Sequence, residues 1–218
     1  MNSDDEAYIL LLLSDSNLPT GSFVASSGLE SYIKHGFSSL HADSTITFVR
    51  DSLESYARSA LPFVSDTHRV VERLYEGCET LEVVLVDLAK LDEHYHVMTL
   101  NHIARRASQS QGVALLSLFT KGFSRPPSIS SSESDPEQAR TTLSSDLVNT
   151  LKAMVRRAET PGHLPICWGV LTAALGLSLG MSYCTQPTPA YQLTHPQSDP
   201  STFICFYMQE VFCPPQSV

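Results

Sequence analysis

The 218-residue sequence predicts an all-α fold. Apolar residues recur at the three- and four-residue spacing of helices, and no run alternates apolar and polar side chains between hairpin turns. The length suits a single domain, since one hydrophobic core grows to roughly 250–300 residues before chains divide. A hydrophobic fraction of 42% is sufficient for such a core. We therefore predict one helical bundle over residues 1–218, with about seven to nine helices.

The first segment of the chain predicts two helices separated by a turn. Residues 5–13 are rich in leucine and begin with acidic side chains, which the positive end of a helix dipole favours. Residues 14–23 combine Ser, Asp, Asn, Pro and Gly, the residue types of turns. A short helix is expected to follow as far as Lys34, with Gly36 as its C-terminal cap.

The middle of the chain shows the strongest helical periodicity. An amphipathic helix is predicted over residues 44–64, and Pro62 is expected to bend or end it. A separate helix is expected over residues 65–75, stopping at Gly77. The apolar spacing over residues 81–119 predicts two or three further helices.

The last third alternates polar and apolar stretches. Residues 124–145 are rich in Ser and Pro and are predicted to form a flexible loop, because they offer little apolar surface for burial. A helix is expected over residues 146–157, and the apolar, glycine-containing stretch 163–183 should supply a central helix. Four prolines make residues 185–202 an irregular connector. An atypical C-terminal segment, residues 203–218, completes the chain.

Charge and composition exclude several classes of protein. A formal net charge of -9 would repel nucleic acid, which owes most of its non-specific affinity to its phosphates. No stretch reaches the roughly 20 apolar residues that a membrane helix needs. The five cysteines contain no C-x-x-C pair and predict neither a disulfide framework nor a zinc knuckle. The predicted location is the cytoplasm.

Motifs of catalysis are missing from the sequence. It has no phosphate-binding loop, dinucleotide-binding turn, zinc-protease spacing or nucleophile elbow, so no catalytic residue and no bound cofactor are predicted. His94, His96 and His102 offer imidazole ligands that suit nickel. On a helix, however, the first two point about 200° apart, which favours ordinary histidines over a metal site. Asp92 and its acidic neighbours are expected on a solvated helix face.

Three segments, in this order, resemble the urease accessory protein F family. The first is LLLSDSNLPTGSFVASSGLESYIKHG, residues 11–36, with a leucine-rich helix, an L-P-x-G-x-F turn and an S-x-G-L-E motif. The others are ARRASQSQGVALL, residues 104–116, and HLPICWGVLTAALG, residues 163–176. The first match is the most specific, since it specifies many residue types over a long segment.

The resemblance implies an all-helical, non-catalytic scaffold that usually forms a homodimer. Such a protein binds urease accessory protein D, also called H, and the pair recruits urease accessory protein G, a nickel-carrying GTPase. The assembly engages apo-urease and regulates GTPase-dependent nickel insertion. Nickel then passes through the complex and is not held stably by this chain.

Residue by residue, the resemblance implies two groups of partner-binding residues. The first group is Pro19, Gly21, Phe23, Gly28 and Glu30. Turn geometry, core filling and close packing are alternative roles for the first four. Glu30 must be paired or face solvent, so it is a candidate for partner contact or an ion path. The second group is Arg105, Ser108 and Gln111, whose three-residue steps predict one polar stripe facing a partner or water.

The resemblance ends before the C-terminus. Members of the family usually continue past the third segment with further helices, including an alanine-rich stretch and a tail that contacts the D subunit. This sequence departs from that pattern after Thr185, and we expect a shortened C-terminal region. Two alternatives to the scaffold function stay open: a helical metal-dependent enzyme using His94, His96 and His102, and a generic helical adaptor.

Overall fold

A computed structural model describes residues 3–13, 28–36, 42–123 and 136–179. These residues form seven α-helices and no strand, which confirms the all-α prediction. None of the described helices is both long and apolar enough to cross a membrane. Contacts divide the chain into two compact units, where the sequence predicted a single domain. The described helices of the first unit end at Leu61, and the second unit continues from Pro62 to Ser178.

The first unit contains helices α1 (Ser3–Leu13), α2 (Leu29–Lys34) and the beginning of α3 (Ala42–Tyr75). Two glycines with positive φ, Gly28 (93°) and Gly36 (74°), bracket α2, so the predicted cap at Gly36 is confirmed. The rings of Tyr32 and Phe48 lie 4.7 Å apart and connect α2 with α3. Aromatic contact therefore anchors a helix too short to be stable alone.

Helix α3 is 34 residues long and does not end at Pro62. The separate helix predicted over residues 65–75 is thus part of α3, and that prediction was wrong. The proline removes one backbone hydrogen bond, but the buried stripe of the helix continues past it. Its buried side chains after the proline are Phe63, Val64, Thr67, His68, Val70, Val71 and Leu74. The helix ends close to Gly77, as predicted.

Helices α4 (Leu81–Met98) and α5 (His102–Leu118) follow, and a π-helical turn extends α5 over Phe119–Phe123. Helix α6 spans Pro136–Arg156, so residues 136–145 are helical and the loop predicted over 124–145 was too long. Tertiary contacts explain the difference, because the polar start of α6 is anchored. The Ser144 and Tyr75 hydroxyls lie 2.7 Å apart. Residues 124–135, 185–202 and 203–218 are outside the described residues.

Helix α7 (Leu164–Ala174) is the central helix that the sequence predicted, although shorter than the apolar stretch 163–183. Nearly all of its side chains are buried, and it packs on α4, α5 and α6. A side chain at Gly169 would come within 2.8 Å of Thr67 and of the Val64 carbonyl, so α3 approaches its backbone directly. Beyond its end, the carbonyl of Leu177 lies 2.8 Å from His68 Nε2.

Candidate functional site

The buried carboxylate of Asp92 organises the turn between α6 and α7. Its Oδ2 accepts hydrogen bonds from the Thr160 hydroxyl and the Gly162 amide, both at 2.5 Å. Its Oδ1 accepts from the amide of His163 at 2.9 Å. A buried carboxylate is costly unless such donors surround it. Asp92 therefore lies inside the protein, and the prediction that placed it on a solvated face was wrong.

His163 lies fully buried at the start of α7 and is paired with another histidine. Its Nε2 is 2.9 Å from Nδ1 of His96, so one imidazole donates and the other accepts. The Tyr95 ring meets it edge-on at 5.1 Å. Burial lowers the pKa of His163 to about 4, the Asp92 charge partly opposes this, and His96 and Arg105 lower it further. The His163 ring is consequently neutral near pH 7.

Helix α5 presents a small-residue face to this turn. The buried hydroxyl of Ser108 accepts from the amide of Leu164 at 3.0 Å. At Gly112, a side chain would overlap the Gly162 carbonyl and come within 2.9 Å of Cys167 Sγ. Burial, helped by the Asp92 charge, raises the pKa of the Cys167 thiol, which is therefore protonated at neutral pH. The second and third family-like segments thus pack directly on each other.

Several large apolar side chains are exposed at the junction of α4 and α5. Four large side chains project there, Val97 (60% exposed), Met98 (54%), Leu100 (87%) and Ile103 (63%). We call these four residues the corner patch. Asn101 between them caps α5, its side-chain oxygen accepting from the amides of Ile103 and Ala104.

Comparison with known proteins identifies the family. The sequence model of UreF matches residues 40–183, a range that contains Asp92, His163 and the corner patch. The chain belongs to the UreF family. Among its curated relatives, Urease accessory protein 6 of Cryptococcus neoformans var. grubii is 37% identical over 80% of this chain.

Two further relatives carry the same family name. An uncharacterized urease accessory protein UreF-like of Schizosaccharomyces pombe is 28% identical over 82% of this chain. Urease accessory protein UreF of an Arthrobacter species is 30% identical over 77% of it. The chain spans 64% of the length of the two fungal relatives and 59% of the bacterial one. No solved structure matches the chain significantly.

In this UreF chain, the predicted stripe on α5 is not a single exposed surface. Ser108 is buried, Gln111 is half-buried, and the partly buried Arg105 donates from Nε to the Thr99 carbonyl. Each three-residue step rotates the side chain by about 60° around the helix, and this drift carries Ser108 toward α7. Ser108 and Arg105 therefore form contacts within the UreF fold.

Only part of the first predicted group lies within the described residues. Pro19, Gly21 and Phe23 fall outside them. Gly28 has φ 93° and a side chain there would meet no atom within 4 Å, so backbone conformation requires the glycine and close packing does not. Glu30 is exposed in the first turn of α2. Of the two alternatives for this carboxylate, paired or facing solvent, the structure shows the second.

The three histidines of the metal-enzyme alternative have separate surroundings. The His94 ring packs edge-on against Phe63 at 5.5 Å, His96 pairs with His163, and His102 is exposed at the start of α5. In the part of the chain that the structure describes, no three His, Cys, Asp or Glu side chains are grouped to hold a metal ion. The structure therefore offers this alternative no three-ligand site among those residues.

Proposed function

We propose that this chain is a non-catalytic scaffold of urease maturation. In this proposal it assembles with urease accessory proteins D(H) and G and regulates GTPase-dependent insertion of nickel into apo-urease. Nickel is the cargo of the complex, the chain forms a homodimer, and the assembly works in the cytoplasm. The observation that carries the proposal is the match of the UreF model over residues 40–183.

The arrangement of polar and apolar groups supports a scaffold. The buried polar groups of Asp92 and Ser108 are engaged in contacts that hold α4, α5 and α7 together. Burial keeps the Cys167 thiol protonated and so a poor nucleophile. The corner patch, in contrast, exposes apolar side chains, which is typical of a surface that contacts proteins.

A reconstitution with purified components tests this proposal. The 218-residue chain is mixed with D(H), then with G and GTP, and complexes are isolated through a tag on D(H). We expect the chain to be recovered with D(H) and G to join the pair. Circular dichroism verifies that the sample is helical, so failure of such a folded sample to bind D(H) contradicts the proposal.

Urease activity in cells provides the second test. In a host that lacks its own F-type accessory gene, expression of the chain should restore nickel-dependent urease activity. Undiminished urease activity after deletion of this gene from its own genome contradicts the maturation role and favours the generic adaptor.

A further inference from the structure

Helix α3 carries a buried histidine whose two ring nitrogens have different surroundings. His68 is 1% exposed. Its Nε2 lies 2.8 Å from the Leu177 carbonyl, which can only accept a hydrogen bond, so Nε2 carries a proton and is the donor. The other nitrogen, Nδ1, is also buried and has no hydrogen-bond partner among the described residues. A neutral imidazole in this position therefore leaves the lone pair of Nδ1 without a donor.

A carboxylate on the same helix faces that nitrogen. Oε1 of Glu72, one helical turn after His68, lies 3.5 Å from Nδ1. This separation is long for a hydrogen bond, in which nitrogen and oxygen lie about 2.7–3.2 Å apart. When the ring is neutral both atoms are acceptors, and two acceptors that face each other repel. The pair therefore favours a cation that both atoms can bind.

The separation of the two atoms suits two ligands of one metal ion. Imidazole nitrogen and carboxylate oxygen bind Zn²⁺ at about 2.0–2.2 Å. Two such bonds at an angle of about 90–109° place their ligand atoms about 3.0–3.4 Å apart. The 3.5 Å between Nδ1 and Oε1 is close to this range, and the Glu72 side chain, 46% exposed, can rotate to close the difference.

The Leu177 carbonyl meets a further requirement of a histidine ligand. Histidines that bind metals almost always donate their other ring N–H to a carbonyl or a carboxylate, which fixes the tautomer and the orientation of the ring. The hydrogen bond from Nε2 to Leu177 does this for His68. The ring is thus held with its free nitrogen toward Glu72 before any metal ion arrives.

A groove between α3 and α4 opens onto Glu72. The groove has a volume of about 610 Å³, and Glu72 and Glu76 both line it. Its three basic side chains are each paired with an acidic one, as Arg69–Asp66, Arg73–Glu79 and Lys90–Asp87. Among the described residues, Glu72 forms no ion pair with a lysine or arginine. A cation in the groove can therefore reach Glu72 and, behind it, the buried nitrogen.

We propose that His68 Nδ1 and the Glu72 carboxylate form a binding site for a divalent transition-metal ion of the Ni²⁺ and Zn²⁺ class. Imidazole suits such ions, whereas Mg²⁺ and Ca²⁺ prefer oxygen ligands. Water from the groove completes the coordination shell. Structural zinc sites use four protein ligands, so a site with two is weak and exchanges its ion readily. The site goes beyond the proposed function and does not depend on binding to D(H).

Equilibrium dialysis of the tag-free 218-residue chain against Ni²⁺, and separately against Zn²⁺, tests the carboxylate ligand. Glu72→Gln should raise the dissociation constant at least about tenfold, because loss of a direct ligand costs no less than loss of an outer-shell partner. Glu76→Gln is the matched control, since it removes the same charge from the same groove and should bind as the wild type does. Equal losses in both variants, or unchanged binding in Glu72→Gln, overturn the inference.

Nitrogen NMR of the histidine rings tests the other ligand in the wild-type chain, so the result does not depend on the folding of a variant at buried His68. Near neutral pH we expect the proton of this ring on Nε2 and a lone pair on Nδ1. Zn²⁺ should shift the Nδ1 signal, and Mg²⁺ should leave it unchanged. A Nδ1 signal that does not respond to Zn²⁺, or a ring protonated at both nitrogens, overturns the inference.

Discussion

Asp92 illustrates how one side chain can determine the position of a whole turn. It lies on α4, yet its carboxylate accepts hydrogen bonds from three donors located 68 to 71 residues later in the chain. Each of those donors is buried away from water and has this carboxylate as its acceptor. Loss of one oxygen acceptor therefore leaves a buried donor without a partner, which costs more than the net contribution of an average hydrogen bond.

Replacement of Asp92 by Asn should strongly destabilise the protein. The asparagine side chain keeps one oxygen acceptor, but an NH2 group replaces the other oxygen. This NH2 group would then face a hydrogen-bond donor of the turn, so that no hydrogen bond forms there. We expect the free energy of unfolding to fall by about 3 kcal/mol, measured by urea denaturation. Asp87→Asn, at a half-buried position paired with Lys90 at 2.8 Å, is the control and should cost under about 1 kcal/mol. Equal losses would show that Asp92 does not hold the turn.

Acid should destabilise the protein through His163. Its pKa is lowered to about 4 in the folded chain, so between pH 6.5 and pH 4 the unfolded state binds a proton that the folded state does not. Stability contributed by the neutral ring is present above pH 6.5 and is lost as the pH falls. From pH 7 to pH 5 this loss amounts to about 2 kcal/mol.

The variant His163→Gln removes this titrating group. Its free energy of unfolding should change less between pH 7 and pH 5 than that of wild type, when both are measured by urea denaturation. Because only the change in the free energy of unfolding between the two pH values is compared, any pH-independent cost of the substitution cancels. Parallel pH profiles would show that His163 does not carry the acid sensitivity.

At the scale of elements, close backbone approach decides how α5 and α7 pack. Gly112 and Gly169 lie where α5 meets the start of α7 and where α7 meets α3. Neither position has room for a methyl group, because backbone atoms of the neighbouring element occupy the space. The two helix contacts therefore depend on the absence of a side chain.

Substitution of Gly112 by Ala should separate α5 from the turn before α7. The new methyl group would overlap the Gly162 carbonyl, a backbone atom that cannot rotate away. We expect a loss of about 2–3 kcal/mol despite the better helix propensity of alanine, measured as a lower thermal midpoint. Gly122→Ala is the control, since no atom lies within 4 Å of its added carbon. A stabilised Gly112→Ala variant would contradict the described packing.

At the scale of the whole molecule, net charge opposes association and the corner patch favours it. The formal charge of -9 adds long-range repulsion between copies at neutral pH, and this charge vanishes near the isoelectric point of about 5.3. Exposed apolar side chains then meet without long-range repulsion. Solubility should therefore depend on pH, because pH sets the net charge. It should also depend on the corner patch, because apolar side chains of different copies can make contact there.

Turbidity measured across the pH range should be greatest near pH 5.3. Leu100→Asp should reduce this maximum at least about twofold, because it interrupts the corner patch. Val86→Asp adds the same charge on α4 and should behave like wild type apart from a small shift of the maximum. A similar reduction in both variants would indicate that added charge alone is responsible.

Helix positions were largely predictable because helical periodicity is a local property. The spacing of apolar residues located α4 and α5, and Gly36 and Gly77 marked helix ends as expected. Pro62 and residues 136–145 were exceptions. In both places contacts between helices stabilise a segment whose own composition disfavours a helix.

Local pattern was sufficient for the helical class, and the ordered motifs were sufficient for the UreF resemblance, since both are properties of neighbouring residues. Tertiary structure decided which polar residues are buried. Asp92 meets His163 across 71 positions and Ser108 meets Leu164 across 56, separations at which helical periodicity carries no information. Leu100 is exposed despite its apolar side chain, because burial depends on which distant segments pack together.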